Sequence, residues 1–372
     1  MRVVSVTLRD FRGYGQAAAP LGSGLSIVLG PNGAGKTNLL EAVYFGCTGR
    51  SCRTANDREL VRFGTGTTRV VVRVEGEDGL HEIAVGFTPG EPKRMTVDGA
   101  PVERLLDSPH RPLVSVFLPD RLDLIKGAPA LRRAHLDQFV AALWPARLAG
   151  RRAYAAALAQ RNTLLARIRE GRLSRASLAA WDEQLAGAAI ELMADRRRAV
   201  ELVTEPFIEL ADRLGLDGEV NITYRPRSRA SDVAGFVAEL AERLDNDLER
   251  GFSGHGPHRD DLVATRGGRE LRVYGSQGQQ RLGLLALLLA ERAAIARLRP
   301  TVPLLLLDDV MSELDPGRRA ALVDFLRESG GQALITTTDL DQLPGVDEEG
   351  IVRLFVADGR LYEDVVTSGE AL

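Results

Sequence analysis

Short runs of apolar and β-branched residues over 3–8, 25–29, 68–75, 80–87 and 113–118 are separated by glycine-rich turns, which predicts a strand-dominated first part of the chain. From about 131 to 214 the texture changes to Ala, Leu, Arg and Glu at helical spacing, with breaks expected at Pro145, around Gly171 and at Pro206. The apolar periodicity there does not continue as heptads, so the helices form a compact insert without a long coiled-coil arm. A strand-like run returns over 218–224, a helix is predicted over 232–249, and a glycine-dense stretch ends near Gln280. Helix 281–298, buried strand 303–307, helix 316–328 and strands 332–336 and 351–356 follow. This order is that of one α/β domain interrupted by a mainly helical one.

Composition narrows the picture. A chain of 372 residues with 44% hydrophobic content carries enough apolar material for a sizeable core, which excludes a disordered or fibrous protein. The net charge of −3 excludes a small basic DNA-coating protein, so any nucleic-acid contact must come from a local patch. Cys47 and Cys52 are too few for a disulfide framework or a four-ligand zinc site, as expected in a reducing, cytosolic setting. The longest apolar stretch, 282–290, is half of the roughly 18–20 residues a membrane span needs, and the N-terminus lacks the apolar run of a signal peptide.

The motif with most weight follows the apolar run at 25–29. Gly30-Pro31-Asn32-Gly33-Ala34-Gly35-Lys36-Thr37 leads into Asn38 and an apolar-faced helix, giving the strand, glycine loop and helix of a phosphate-binding loop. Glycines let backbone N–H groups turn toward a phosphate, and the helix N-terminus adds its dipole. Lys36 is placed to reach β and γ phosphates, and the Thr37 hydroxyl suits Mg2+, a hard cation that takes oxygen donors. An ordinary glycine turn would need neither the lysine nor the flanking strand.

Two further segments complement this loop. Four apolar residues deliver Asp308 and Asp309 at the C-terminal edge of a buried strand, where α/β sheets bind ligands. Asp308 is expected to hold Mg2+ and Asp309 to orient or deprotonate the attacking water. The second segment, Ser276-Gln277-Gly278-Gln279, stands before an apolar helix and offers a hydroxyl and backbone amides to an anion. A chain with its own phosphate loop has no need of another, so this one is expected to meet the γ-phosphate held by a second copy, with ATP between two protomers. An ordinary helix cap is the plainer reading of the same residues.

Together these segments resemble the ATP-binding heads of the ABC superfamily, with Ser312-Glu-Leu-Asp315 similar to the D-loop. Lys36 and Ser276 are 240 residues apart, longer than transporter subunits use, while the coiled coils of SMC-type ATPases are missing. On strings such as Leu8-Arg-Asp-Phe-Arg-Gly-Tyr14, Gly49-Arg-Ser-Cys-Arg-Thr54, 117–127, Gly256-Pro-His-Arg-Asp-Asp-Leu262 and 307–315, the chain resembles the RecF family of bacterial recombination-repair proteins over nearly its whole length. The resemblance implies a P-loop NTPase of ABC-head type, α/β, with an N-terminal part of lobe I at 1–125, a mainly helical lobe II at 126–275, and a return to lobe I at 276–372. It further implies an ATP-dependent homodimer that binds duplex and gapped DNA without sequence preference and cooperates with RecO and RecR to promote RecA loading.

Departures from the wider superfamily set expectations for rate. Thr336-Thr-Thr338-Asp339 stands where transporters place a switch histidine, Gln277 replaces a signature glycine, and Asp309 replaces a longer glutamate. Slow hydrolysis, a switch more than a motor, is therefore expected. For DNA, the stretch 126–215 carries 15 basic and 10 acidic residues, with clusters at Arg132-Arg133, Arg151-Arg152, 196–198 and Arg225, Arg227 and Arg229; arginines pair well with phosphates, although an arginine-rich chain puts solvated arginines on every exposed helix. His255 and His258 near Asp260 and Asp261 are poorly spaced for a metal and are expected to brace their loop. The competing functions are a transporter-energising ATPase subunit, for which the long interval is unexpected, and a small-molecule kinase, which gives the signature segment no purpose.

Overall fold

The computed structural model describes residues 1–105, 108–119, 122–345 and 350–363. Asp120 and Arg121 of the family-like string at 117–127, and the end of the expected third segment, lie outside them. The chain forms two compact units, one of Met1–Arg121 with Ile295–Leu372 and the other of Leu122–Ala294. The expected insert at 126–275 is thus extended at its C-terminal side. The reason lies in helix Gln277–Leu298: Gln280 donates to the carbonyls of Leu271 and Gly275, a Cβ at Gly283 would touch Leu271, and Glu291 receives a hydrogen bond from His135 at 2.8 Å.

In the first unit, a six-stranded antiparallel sheet runs in the order Tyr14–Pro20, Arg2–Phe11, Thr68–Gly76, Gly79–Phe87, Arg94–Val97, Ala100–Pro101. A second sheet has the order Arg360–Glu363, Val352–Ala357, Leu25–Leu29, Ala333–Thr337, Leu304–Leu307, Val114–Phe117, parallel except for its first strand. Helix Lys36–Thr48 touches both sheets and buries Leu39, Leu40, Val43 and Phe45 in a common core. Its approach to the antiparallel sheet is close enough that a Cβ at Gly46 would stand 2.3 Å from Val72, so only glycine fits. Strand Leu304–Leu307 is buried on both faces, as its uninterrupted leucines predict.

The second unit is built on helices Pro129–Leu143, Leu148–Arg169 and Ala179–Arg213, with a small sheet ordered Arg269–Glu270, Asp261–Arg266, Val220–Arg225. Breaks occur at Pro145 and near Gly171 as expected, but Pro206 lies inside the 35-residue helix Ala179–Arg213. Buried Val203, Phe207, Leu210 and Ala211 on both sides of the proline outweigh its lost hydrogen bond. The helix expected over 232–249 is two, Val233–Glu242 and Leu244–Arg250, hinged at Arg243. The segment around His255 and His258 braces its surroundings: His255 Nε2 meets Glu239 at 2.6 Å, and His258 Nε2 meets the Ser253 carbonyl at 2.9 Å. Among the described residues no helix is long and apolar enough to cross a membrane.

His258 gives this unit a pH dependence. With Nδ1 facing the Tyr154 hydroxyl at 2.7 Å and the ring largely buried, desolvation pushes its pKa down to about 4, against about 6.5 when free. The unfolded chain therefore binds the extra proton first, so the stabilisation is complete above about pH 6.5 and is lost as pH falls toward 4. The stability gap between the native chain and His258→Asn, from urea unfolding, is expected to narrow from pH 7 to pH 4 by on the order of 3 kcal/mol. A pH-independent gap would contradict this burial argument.

Candidate active site

Strand Leu25–Leu29 lies between Val352–Ala357 and Ala333–Thr337, and the phosphate loop leaves its C-terminal end. At the exit Gly30 N donates to Thr337 O at 3.3 Å, and a Cβ on Gly30 would stand 2.4 Å from the Val356 carbonyl oxygen. Gly33 and Gly35 have φ of 81° and 115°, which L-residues with side chains rarely adopt, so the loop curls as the glycine spacing demands. The buried Tyr14 hydroxyl donates to Gly35 O at 2.9 Å and pins the curl from the antiparallel sheet. Pro31, Asn32 and Gly33 are exposed at the crest, and Ala34 N donates to Pro31 O. Helix Lys36–Thr48 starts at Gly35 with no side-chain cap and no acidic residue in its first turn, leaving its orphan N–H groups and dipole for an anion.

Lys36 is 7% exposed, and its Nζ donates to the carbonyls of Gly30 at 2.7 Å and Pro31 at 3.1 Å. Burial lowers its pKa, and the charges of Asp309 and Asp308 work the other way. The Thr37 hydroxyl reaches both Asp308 oxygens, at 2.9 and 2.8 Å. Thr336 donates to Asp308 Oδ1 at 2.7 Å and accepts from Asp309 N at 2.9 Å. Burial and then Asp309 push the Asp308 pKa up, against the hydrogen bonds from Thr336 and Thr37 and the charge of Arg53. Asp309 sits in the left-handed region at φ 45°, and its Oδ1 is buried without a hydrogen-bond partner. A strained backbone and an orphaned buried carboxylate oxygen cost energy, which marks a functional position. This all-oxygen set fits Mg2+: Thr37 and Asp308 would hold it, and the nearby Asp309 oxygen is free to act on water.

Sequence reasoning missed two members. Thr336 was expected only as a poor substitute for a histidine, yet it orients both acidic residues, and its signal was a hydroxyl at the end of the strand neighbouring 304–307. Arg53 donates to Asn38 Oδ1 at 3.0 Å and to the buried Glu41 at 3.2 Å, where Arg12 forms a two-bonded pair at 2.9 Å. This ties Asn38 to Gly49-Arg-Ser-Cys-Arg-Thr54, a string to which no role was assigned. In the D-loop, Ser312 donates to Asp309 O at 2.8 Å and Asp315 caps helix Pro316–Glu328 through Arg318 N at 3.0 Å.

The signature segment belongs to the other unit. Its helix begins at Gln277, four residues before the expected start, because Ser276 and Gln279 form a reciprocal cap: Ser276 N donates to Gln279 Oε1 at 2.9 Å and Gln279 N donates to Ser276 Oγ at 3.3 Å. Ser276, Gln277 and Gly278 are exposed at this helix end, beside exposed Val273 and Tyr274.

Two arginines expected at a DNA surface are structural instead. Arg132, 4% exposed, pairs with Asp261 through two bonds at 2.7 Å and donates to Gly127 O. Arg196, 3% exposed, binds Asp137, the Pro257 carbonyl and Asp260. Buried guanidinium groups need partners more than they need solvent, and the acidic residues of this unit supply them. Arg197, Arg198, Arg227 and Arg229 are exposed, while Arg151 pairs with Asp137 and Arg225 with Glu270.

Removing the Thr336 hydroxyl tests the acidic cluster. Thr336→Val deletes a hydrogen bond to a charged group, worth about 1.5–3 kcal/mol, so Mg2+-dependent turnover is expected to fall about tenfold to a hundredfold. Without that donor the Asp308 pKa rises further, so the acid limb of the pH–rate profile moves to higher pH. An unchanged profile would remove Thr336 from the site.

Comparisons with known proteins give the family. The AAA domain family model matches residues 5–98. The DNA replication and repair protein RecF of Myxococcus xanthus is 39% identical over 98% of this chain and 96% of its own, and that of Heliobacterium modesticaldum is 38% identical over 91% and 93%. A solved structure of the recombination mediator protein RecF with ATP, in the RecFOR pathway, superimposes with a TM-score of 0.84 at 27% identity, covering 97% of each chain. An SMC head bound to the C-terminal domain of ScpA from Pyrococcus furiosus shares the fold, with a TM-score of 0.61 at 18% identity over 97% of this chain and 95% of that one. With relatives 38–39% identical over more than nine-tenths of its length and the fold of an ABC-type ATPase head, the chain belongs to the RecF family of DNA replication and repair proteins.

Proposed function

We propose that this chain is a nucleotide-gated DNA clamp of recombinational repair. The observation that carries the proposal is the division of labour within one polypeptide: a phosphate loop joined to Asp308 through Thr37, and a capped helix end, Ser276–Gln279, that faces solvent. Two copies would each cover the other's nucleotide with that helix end, whose amides and dipole favour a γ-phosphate. Lys36, the loop N–H groups from 32 to 37 and Asn38 hold the triphosphate in this reading, flanked by Gly30 and Pro31, and Thr37 with Asp308 hold Mg2+. Bound there, the ion would supply positive charge to offset that of the triphosphate. Asp309, short and fixed at its backbone, positions water with less reach than a glutamate, so hydrolysis is slow and resets the clamp.

DNA, duplex or gapped, is gripped by its backbone. Arg197 and Arg198 lie exposed on helix Ala179–Arg213 and are the chosen contacts, in place of Arg132 and Arg196. Since relatives covering more than nine-tenths of the chain are DNA replication and repair proteins, the transporter reading gives way. By the same kinship the protein works in the cytoplasm with RecO and RecR to promote RecA loading on gapped DNA.

Light scattering with ATP or ADP tests the gate. The native chain is expected to dimerise with ATP alone, Lys36→Ala to lose nucleotide, and Ser276→Arg to keep nucleotide yet stay monomeric; dimers of Ser276→Arg with ATP would overturn the shared site. For DNA, charge reversal at Arg197 and Arg198 is expected to reduce the slope of log affinity against log salt by about 1 for each arginine while ATP binding persists. An unchanged slope would exclude that surface.

A further inference from the structure

Far from the phosphate loop in sequence, the antiparallel sheet gathers four side chains that the ATPase chemistry does not use. Asp78 stands in the turn between strands Thr68–Gly76 and Gly79–Phe87, His81 on the second of those strands, Asp98 in the turn after Arg94–Val97, and His110 on the segment leading to Val114–Phe117. One ligand atom from each of Asp78, His81 and His110 lies within 4.8 Å of the others. His81 Nε2 is 3.0 Å from Asp78 Oδ1, and His110 Nδ1 is 3.6 Å from Asp78 Oδ2, beyond a good hydrogen bond. The two imidazole rings stack with centroids 3.8 Å apart.

We propose that Asp78, His81 and His110 form a binding site for a divalent transition-metal ion of the zinc class. Two imidazoles and one carboxylate are borderline donors that favour Zn2+, Co2+ or Ni2+ over Mg2+, and three protein ligands leave a fourth position for water. Bonds of about 2.0–2.1 Å at a tetrahedral ion separate ligand atoms by about 3.3 Å, a value that the observed 3.0 and 3.6 Å bracket. The surroundings of His81 are those of a metal-bound histidine. Its other nitrogen, Nδ1, meets Asp98 Oδ2 at 2.8 Å, and Asp98 is itself fixed by Glu82 N at 2.8 Å and by a left-handed backbone at φ 50°. A carboxylate that holds the far nitrogen sets the tautomer and points the near nitrogen at the metal.

Metal-free His81 faces a carboxylate through each ring nitrogen. On metal binding Nε2 gives its lone pair to the ion, while Nδ1–H stays on Asp98. The ion would also join the turn at Asp78 to the segment at His110, tying two parts of the first unit that are distant in the chain.

The test uses tag-free full-length chain stripped with a chelator, with excess Mg2+ and no nucleotide so that the oxygen-lined ATP site does not take up the probe. Co2+ is titrated while its visible absorption and the heat of binding are followed. The native chain is expected to saturate at a single equivalent, and Zn2+ to displace the cobalt. His81→Ala and His110→Ala should lose the saturable absorption, whereas Asp98→Asn should keep it with affinity weakened about 10–100-fold. Zn2+ should raise the melting temperature of the native chain and leave that of His110→Ala unchanged. His110 lies outside the strands, so its variant tests the site even where His81→Ala fails to fold. Absence of saturable cobalt absorption in the native chain, or equal absorption in the native chain and His110→Ala, would overturn the site and leave an ion-pair cluster.

Discussion

Three elements converge on the carboxylate of Asp308: the phosphate-loop helix through Thr37, its own strand Leu304–Leu307, and the neighbouring strand Ala333–Thr337 through Thr336. Burying that charge is unfavourable, and the adjacent Asp309 makes it more so, which is why its pKa is raised. Two hydroxyl donors offset part of the cost, and a divalent cation would offset more. The strand order is therefore a requirement of the site. Only with Ala333–Thr337 between Leu25–Leu29 and Leu304–Leu307 can a hydroxyl from one strand orient acidic residues at the end of another while Gly30 turns beside it.

How much of this could be read from the residues alone depended on how local the cause was. The phosphate loop was legible because strand, turn and helix cap each other within thirteen residues, and helix Pro316–Glu328 because Asp315 and Pro316 are a strong start signal. Strand Tyr14–Pro20 was not, since Gly-Gln-Ala-Ala-Ala-Pro has little strand preference and forms by pairing with Arg2–Phe11. Pro206 was read as a breaker because the burial that overrides it comes from other elements. Thr336 acquires its role from Asp308, 28 residues away in sequence, and spacing carries no trace of that.

Arginine illustrates the same limit in charge. Arg132 and Arg196 look like surface cations in a basic stretch, yet each is buried against carboxylates and carbonyls of its own unit. Arg161 goes further, fully buried with Asp182, Asp247 and Ser253. Local net charge therefore overstated the exposed basic surface, because acidic partners distant in sequence neutralise arginines that a window count leaves free.

The central claim, that each chain completes the ATP site of another, is tested most directly by mixing two variants that are inactive alone. Lys36→Ala keeps its signature helix and lacks a working phosphate loop; Ser276→Arg has the converse defect. Mixed together, they place one intact loop opposite one intact signature helix, and ATP turnover should reappear in the mixture. A mixture as inactive as its components, with both chains folded, would contradict the account.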